Sequence, residues 1–160
     1  FQKNLGLKFK HRLLFPLIMR NIIIGNNPLF SEISFFILRF FTGVMMCYYH
    51  GWSKLFASID RWERLGNNLT KWLGIDELSV PLGFLATFSE SIGALMLAIG
   101  LLTRPTSFLL AFTMLVATIK KLSEGGVDTI ELPFLFLILS LVILLKGSGN
   151  YSLDRLLFNK

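Results

Sequence analysis

Cysteine and histidine are nearly absent from this sequence of 160 residues. Its single cysteine, Cys47, excludes an internal disulfide and a CxxC redox pair. Cys47 fits a small core residue better than a nucleophile. There are only two histidines, His11 and His50, so the sequence offers no cluster of metal ligands. We therefore expect no metal site and no intrinsic cofactor.

Charged residues are also scarce, at 16% of the chain against 53% hydrophobic residues. Soluble domains average about 25% charged residues, so this composition is displaced toward the membrane class. Four apolar runs reach, with their flanks, the roughly 20 residues that cross a bilayer. We predict an all-α, polytopic membrane protein, a four-transmembrane-helix bundle with spans at about residues 33–56, 81–102, 106–121 and 131–146.

The first 30 residues differ from the rest, because they are basic and interrupted. Pro16 and the turn at residues 25–28 divide them into pieces too short to span a membrane. We predict that residues 1–30 form a basic arm at the membrane surface, separate from a membrane domain at residues 31–160. The net charge of +6 is then typical of contact with membrane lipids, and we expect no nucleic-acid partner.

The link at residues 57–80 has apolar residues at helical spacing with charged residues between them. This pattern predicts an amphipathic helix in the membrane interface between spans one and two, with Trp62 and Trp72 at headgroup depth. Arg104 and Pro105 are predicted to form a tight turn into span three, and a glycine turn near residue 147 leads to a short terminal helix. The distribution of lysine and arginine favours both termini on the cytoplasmic side.

Four ionisable side chains lie inside the predicted spans: Arg39, His50, Lys54 and Glu90. Each costs a few kcal/mol on insertion scales, so each needs a partner, a wet cavity or a route to the interface. On a helix that turns about 100° per residue, Arg39, His50 and Lys54 share one face of the first span. Two glycines on this span leave room for a neighbouring helix or a ligand.

Depth along the helices suggests which of these groups meet. Glu90 lies ~14 Å below the start of its span, and His50 ~9 Å below the same surface if spans one and two are antiparallel. We therefore prefer a Glu90–His50 pair, with Arg39 as a competing or third partner. Because a histidine beside a carboxylate can relay protons near neutral pH, Glu90 and His50 are the candidate catalytic residues.

A polar pocket with Glu90 at its floor, opening toward the outer surface, would bind a cofactor through Arg39, Lys54, Glu90 and His50. Structural roles remain open beside this interpretation. Lys54 by itself is better explained by snorkelling to the headgroups, and Arg39 can snorkel to the opposite face. Glu90 can instead make an inter-helix hydrogen bond that only fixes packing.

Three motifs resemble the DoxX family of small bacterial membrane proteins. They are Arg39-x3-Gly43 with "HGWSK" at residues 50–54, "ESIGALMLAIGLLTR" at 90–104, and "GSGNYSLDRLL" at 147–157. The resemblance implies a four-helix bundle in the bacterial inner (cytoplasmic) membrane and an association with redox chemistry. Some relatives belong to a thiosulfate:quinone oxidoreductase, and others are linked to thiol and oxidative-stress systems. The lack of a cysteine pair speaks against a self-contained thiol–disulfide mechanism.

Two functions remain in contention. The first is a redox-linked component of a membrane complex, associated with a quinone or with thiol or sulfur chemistry, in which a quinone is the candidate ligand of the polar pocket. The second is a non-catalytic accessory or assembly subunit whose buried ions only fix helix packing. Membrane lipids and other subunits are the expected partners in both cases, and enzymatic activity is left open. A transporter fits poorly, because neither broken helices nor an internal repeat is evident.

Overall fold

The structure is a computed structural model that describes residues 27–158. In this part of the chain the regular elements are helices, and there is no strand. The helices are α1 (Pro28–Leu55), α2 (Ile59–Leu73), α3 (Asp76–Ile99), α4 (Thr103–Gly125), α5 (Glu131–Lys146) and α6 (Leu153–Phe158). The first turn of α3 is a 3-10 helix, and another, Val127–Thr129, precedes α5. The prediction of an all-α protein is confirmed for these residues.

The chain divides into two compact units, Phe1–Phe35 and Phe36–Lys160. Of the first unit, the structure describes the beginning of α1, where the Asn27 side chain accepts a 3.0 Å hydrogen bond from the Leu29 amide. Asparagine is a favoured N-cap and Pro28 a favoured first helical residue, so the helix starts at Pro28, before residue 33, where the first span was predicted to begin. The remainder of the predicted basic arm lies outside the described residues.

Three helices are long and apolar enough to cross a membrane: α1, α3 and α4, with 28, 24 and 23 residues. The predicted third span lies within α4, whereas the predicted second span begins inside α3 and runs three residues past its end at Ile99. The predicted turn at Arg104 and Pro105 is wrong, because both residues lie in the first turn of α4. The chain reverses just before them, where Gly100 and Leu102 adopt φ values of 74° and 48°.

The amphipathic link is present as helix α2, which packs along α3. A small polar network joins the two helices: the Ser79 hydroxyl donates to the Asn67 side chain at 2.7 Å and lies 2.9 Å from the Thr70 hydroxyl. Ser79 and Thr70 are buried. Because buried hydroxyls need partners, these bonds fix the position of α2 against the start of α3.

A closing segment, residues 147–154, binds the middle of α1 through Arg39. The guanidinium donates to the carbonyl of Ser148 at 2.8 Å and to that of Tyr151 at 2.6 Å. Arg39 is fully buried, and the negative charge that interacts with it is Asp154. Gly100 lies against this guanidinium, so a side chain there would collide with it and would also be strained by the positive φ. Arg39 therefore holds the closing segment in place instead of reaching the membrane surface.

Asp154 completes this closure from the other side. Its carboxylate accepts hydrogen bonds from the amides of Leu102 at 2.7 Å and Thr103 at 2.9 Å. These two amides begin α4 and would otherwise lack helical acceptors. Asp154, 51 residues from Thr103 in the sequence, thus caps the N-terminus of α4 with its side chain. Its negative charge is favourable at that end of the helix dipole.

Replacing Asp154 by alanine should destabilise the protein by about 1–2 kcal/mol, since loss of an N-cap acceptor has this typical effect. Thermal unfolding in detergent micelles measures the change. Asp128→Ala is the matched control, because Asp128 is exposed near the opposite end of α4. Equal stability of the two variants would contradict the capping role of Asp154.

Candidate functional site

Two short π-helical turns interrupt the membrane helices: Cys47–Gly51 in α1 and Ser89–Gly93 in α3. They lie against each other. A π turn accommodates an extra residue within an α-helix, and such turns occur frequently at functional sites. Neither turn was predicted, because the predicted helices follow regular helical spacing throughout. The facing π turns, which together we call the π contact, are the centre of the candidate site.

Gly51 brings the two backbones together at the π contact. A Cβ atom at this position would stand 2.6 Å from the α-carbon of Ser91 and would also overlap the backbone of Glu90. Side chains do not fit at such separations, so glycine is required for this approach. The expectation that glycine leaves room for a neighbouring helix is met here by direct backbone packing.

Glu90 forms an ion pair with Lys54 across the π contact. The Glu90 side chain is 5% exposed and that of Lys54 19%. The preferred Glu90–His50 pair is therefore wrong, as is snorkelling of Lys54 to the headgroups. An ammonium group carries a full positive charge at neutral pH, whereas a histidine is mostly neutral there, so lysine compensates a buried carboxylate better.

Trp62 of α2 fixes the backbone of Lys54. Its indole N–H donates to the Lys54 carbonyl at 3.0 Å, and its ring packs edge-on against Phe84 of α3 with centroids 5.1 Å apart. This carbonyl, in the last turn of α1, also accepts the backbone amide of Ala57 at 3.2 Å, so the indole is a second donor to it. The tryptophan was expected at headgroup depth; in the structure its indole bond positions the backbone of the lysine of the ion pair.

Two cavities of about 120 Å³ each share the Lys54–Glu90 pair in their walls. The first, which we call the apolar cavity, lies between α2, α3 and α4 and is lined mainly by hydrophobic side chains, such as Leu82, Leu109 and Phe112. Near it, the Ser89 hydroxyl lies 2.9 Å from that of Thr113, which also lines the cavity. An ion pair at the side of an apolar space suits a ligand with a polar head and an apolar body.

The second, which we call the histidine cavity, contains His50. The imidazole packs edge-on against Phe136 of α5, with ring centroids 6.0 Å apart. Lys121, near the end of α4, also lines this cavity. His50, Lys54 and Glu90 are thus brought together as predicted, although in a different pairing. Lys121 and Phe136 had not been identified from the sequence, since nothing in it indicates which part of α4 or α5 faces His50.

Arg39 is not part of either cavity, because its guanidinium is held by the closing segment. The assignment of Arg39 to a cofactor-binding pocket is thereby corrected. Cys47 is buried in the first π turn. Among residues 27–158, no group of three or more His, Cys, Asp or Glu side chains could hold a metal ion.

The chemistry available at this site follows from the three side chains that it gathers. Lys54 is a hydrogen-bond donor, Glu90 an acceptor and proton carrier, and His50 can do either. The surroundings are largely apolar, so hydrogen bonds to a ligand here are stronger than in water. Such an arrangement can bind a carbonyl or an anion and can exchange protons with it.

The substitution Gly51→Ala should separate the helices at the π contact and destabilise the protein by roughly 1–3 kcal/mol, as overpacking does. Thermal unfolding in detergent gives the measurement. Gly93→Ala is the matched control. The nearest contact of its new Cβ would be the Phe88 carbonyl at 3.2 Å, which requires a much smaller shift than the overlap at Gly51. An unchanged unfolding temperature for Gly51→Ala would show that the two backbones do not meet as described.

Comparison with known proteins gives one result. Neither the curated proteins nor the solved structures include a significant match to this chain. A model of the DoxX family matches residues 34–121, which is more than half of the chain and includes both π turns, Lys54 and Glu90. Together with its apolar helices, this match shows that the chain is a membrane protein that belongs to the DoxX family.

Proposed function

We propose that this protein is the quinone-binding membrane subunit of a redox complex. The Lys54–Glu90 pair between the apolar cavity and the histidine cavity is the observation that carries the proposal. A quinone has two carbonyl oxygens on a flat ring and an apolar tail. Lys54 would donate to one carbonyl, while the apolar cavity receives the body of the molecule.

Reduction of a quinone to a quinol consumes two electrons and two protons. Glu90 and His50 are the residues of this site that can supply the protons. The electrons would come from a partner redox protein that oxidises a thiol or a reduced sulfur compound, since the described residues contain one cysteine and no group of three or more side chains that could hold a metal ion. The protein would therefore work as one part of a complex.

Substitutions that remove one charge of the ion pair test this function. In Glu90→Gln and Lys54→Gln, affinity for a short-chain quinone should fall about 10- to 100-fold, since a hydrogen bond to a charged group contributes about 1.5–3 kcal/mol. Titration of the purified protein in mild detergent, followed by quinone absorbance, gives the affinity. Lys120→Gln is the control, because Lys120 forms a surface pair with Glu124.

A second measurement separates binding from folding. The unfolding temperature of each variant shows whether lost affinity reflects lost structure. A Glu90→Gln, His50→Ala double variant that remains folded and binds quinone like the unchanged protein would refute the pocket assignment. Mass spectrometry of the protein from native membrane should find quinone at near-stoichiometric level.

The alternative is a non-catalytic accessory subunit, and one observation favours it. Lys54 and Glu90 also form the direct link between α1 and α3, so their charges are already used in packing. Purification would then yield other membrane subunits without any quinone.

We also propose that α5 is a fourth membrane span. It has 16 residues, or ~24 Å of helix, with charge only at its ends, Glu131 and Lys146, and it packs along α4. Four spans would place both ends of the membrane domain on the same side, in agreement with the expectation of cytoplasmic termini in a bacterial inner membrane.

Cysteine labelling tests the fourth span. In a Cys47→Ser background, single cysteines at Asp128 and Leu156 flank α5 and replace exposed residues. An impermeant maleimide added to right-side-out vesicles should label only one of the two if α5 crosses the membrane. Detergent should make both reactive. Labelling of both sites in intact vesicles would contradict the fourth span.

A further inference from the structure

A larger cavity, of about 600 Å³, lies at the other end of α4 from the histidine cavity. We call it the basic cavity. Its walls come from the start of α4, from the turn that follows α5, and from α6. α4 is long and apolar enough to cross a bilayer, and a helix that crosses the bilayer has its first residues at a membrane surface. The basic cavity is therefore open to the headgroup layer.

Positive charge converges on this cavity from three segments of the chain. Arg104 comes from α4, Lys146 from the end of α5 and Arg155 from α6, and all three are exposed. Among the described lining residues there is one acid, Asp154, whose two carboxylate oxygens already accept the amides of Leu102 and Thr103. The described lining residues thus carry three positive charges and one negative charge.

The two arginines are held at the cavity wall. Arg155 donates to the side-chain oxygen of Asn150. Arg104 lies over the turn after α5, its Nε 3.5 Å from where a Cβ of Gly147 would stand. In the part of the chain that the structure describes, no ion pair joins either arginine to a carboxylate. Both guanidinium groups therefore have donors left for an external acceptor.

Topology alone does not account for this arrangement. Cations at the ends of membrane helices orient a protein through their number on one side, which does not require them to meet. Here they meet at one concave surface whose rim carries the exposed side chains of Leu102 and Phe158. A basic pocket with an apolar rim fits a ligand that has both an anionic head and acyl chains.

We propose that the basic cavity binds a phosphate group through Arg104 and Arg155, and that at this depth the phosphate belongs to an anionic phospholipid. The planar fork of a guanidinium matches phosphate oxygens in a bidentate manner. Lys146 adds a third positive charge, and the apolar rim faces the acyl chains. This site is separate from the quinone site, so either proposal can fail without the other.

The test uses the full chain in mild detergent and three additions: phosphatidylglycerol, phosphatidylcholine and inorganic phosphate. Phosphatidylglycerol in excess should raise the unfolding temperature by about 5 °C, through preferential binding to the folded state. Phosphatidylcholine should have little effect. In an Arg104→Gln, Arg155→Gln double variant the affinity for phosphatidylglycerol should fall at least tenfold.

The matched control is the Arg64→Gln, Lys71→Gln double variant, which removes the same charge from exposed positions on α2. It should respond to phosphatidylglycerol like the unchanged protein. An equal loss in both double variants would attribute the effect to net charge and overturn the site. An unchanged response in the Arg104→Gln, Arg155→Gln double variant would also overturn the site. If inorganic phosphate alone gives the full shift, the phosphate chemistry stands and its source is a free anion.

Discussion

The compensation of buried charge is the constraint on which the rest of this structure depends. A charged side chain inside a membrane helix must find an opposite charge or strong hydrogen bonds, because the hydrocarbon offers neither. Arg39 and Lys54 of α1 are two such groups, and each is satisfied by a different element. Lys54 pairs with Glu90 of α3, and Arg39 binds two carbonyls of the closing segment. These two charged side chains thus connect α1 to α3 and to the closing segment.

Close backbone contact strengthens this pairing. At the π contact Gly51 lies directly against the backbone of Glu90, which leaves little space for water or lipid between the helices. Excluding water lowers the local dielectric constant, so the attraction within the ion pair grows. Trp62 then fixes the end of α1 from outside. The ion pair is thus held by the surrounding helices, and it forms the shared wall of the apolar cavity and the histidine cavity, where a ligand site needs positioned groups.

Sequence periodicity predicted the helical class, the amphipathic link and the bounds of α5, because long apolar runs and regular spacing are strong signals. It also identified Glu90, His50 and Lys54 as neighbours. It did not predict the pairing, since depth along two helices leaves both His50 and Lys54 within reach of Glu90. The π turns were missed because an extra residue in one turn leaves no mark in composition. The partners of Arg39 were missed because backbone carbonyls carry no sequence signal.

The charged residues of the DoxX-like motifs have different physical roles in this chain. Arg39, from the first DoxX-like motif, and Asp154, from the last, fix the closing segment against α1 and α4. Lys54 and Glu90, from the first and second motifs, lie between two cavities where a ligand can reach them. Arg104 and Lys121, which line the basic and histidine cavities, are 17 residues apart on α4, or ~25 Å. Sites at such a distance without shared partners act independently, so the ligand chemistry of each follows from its own charges.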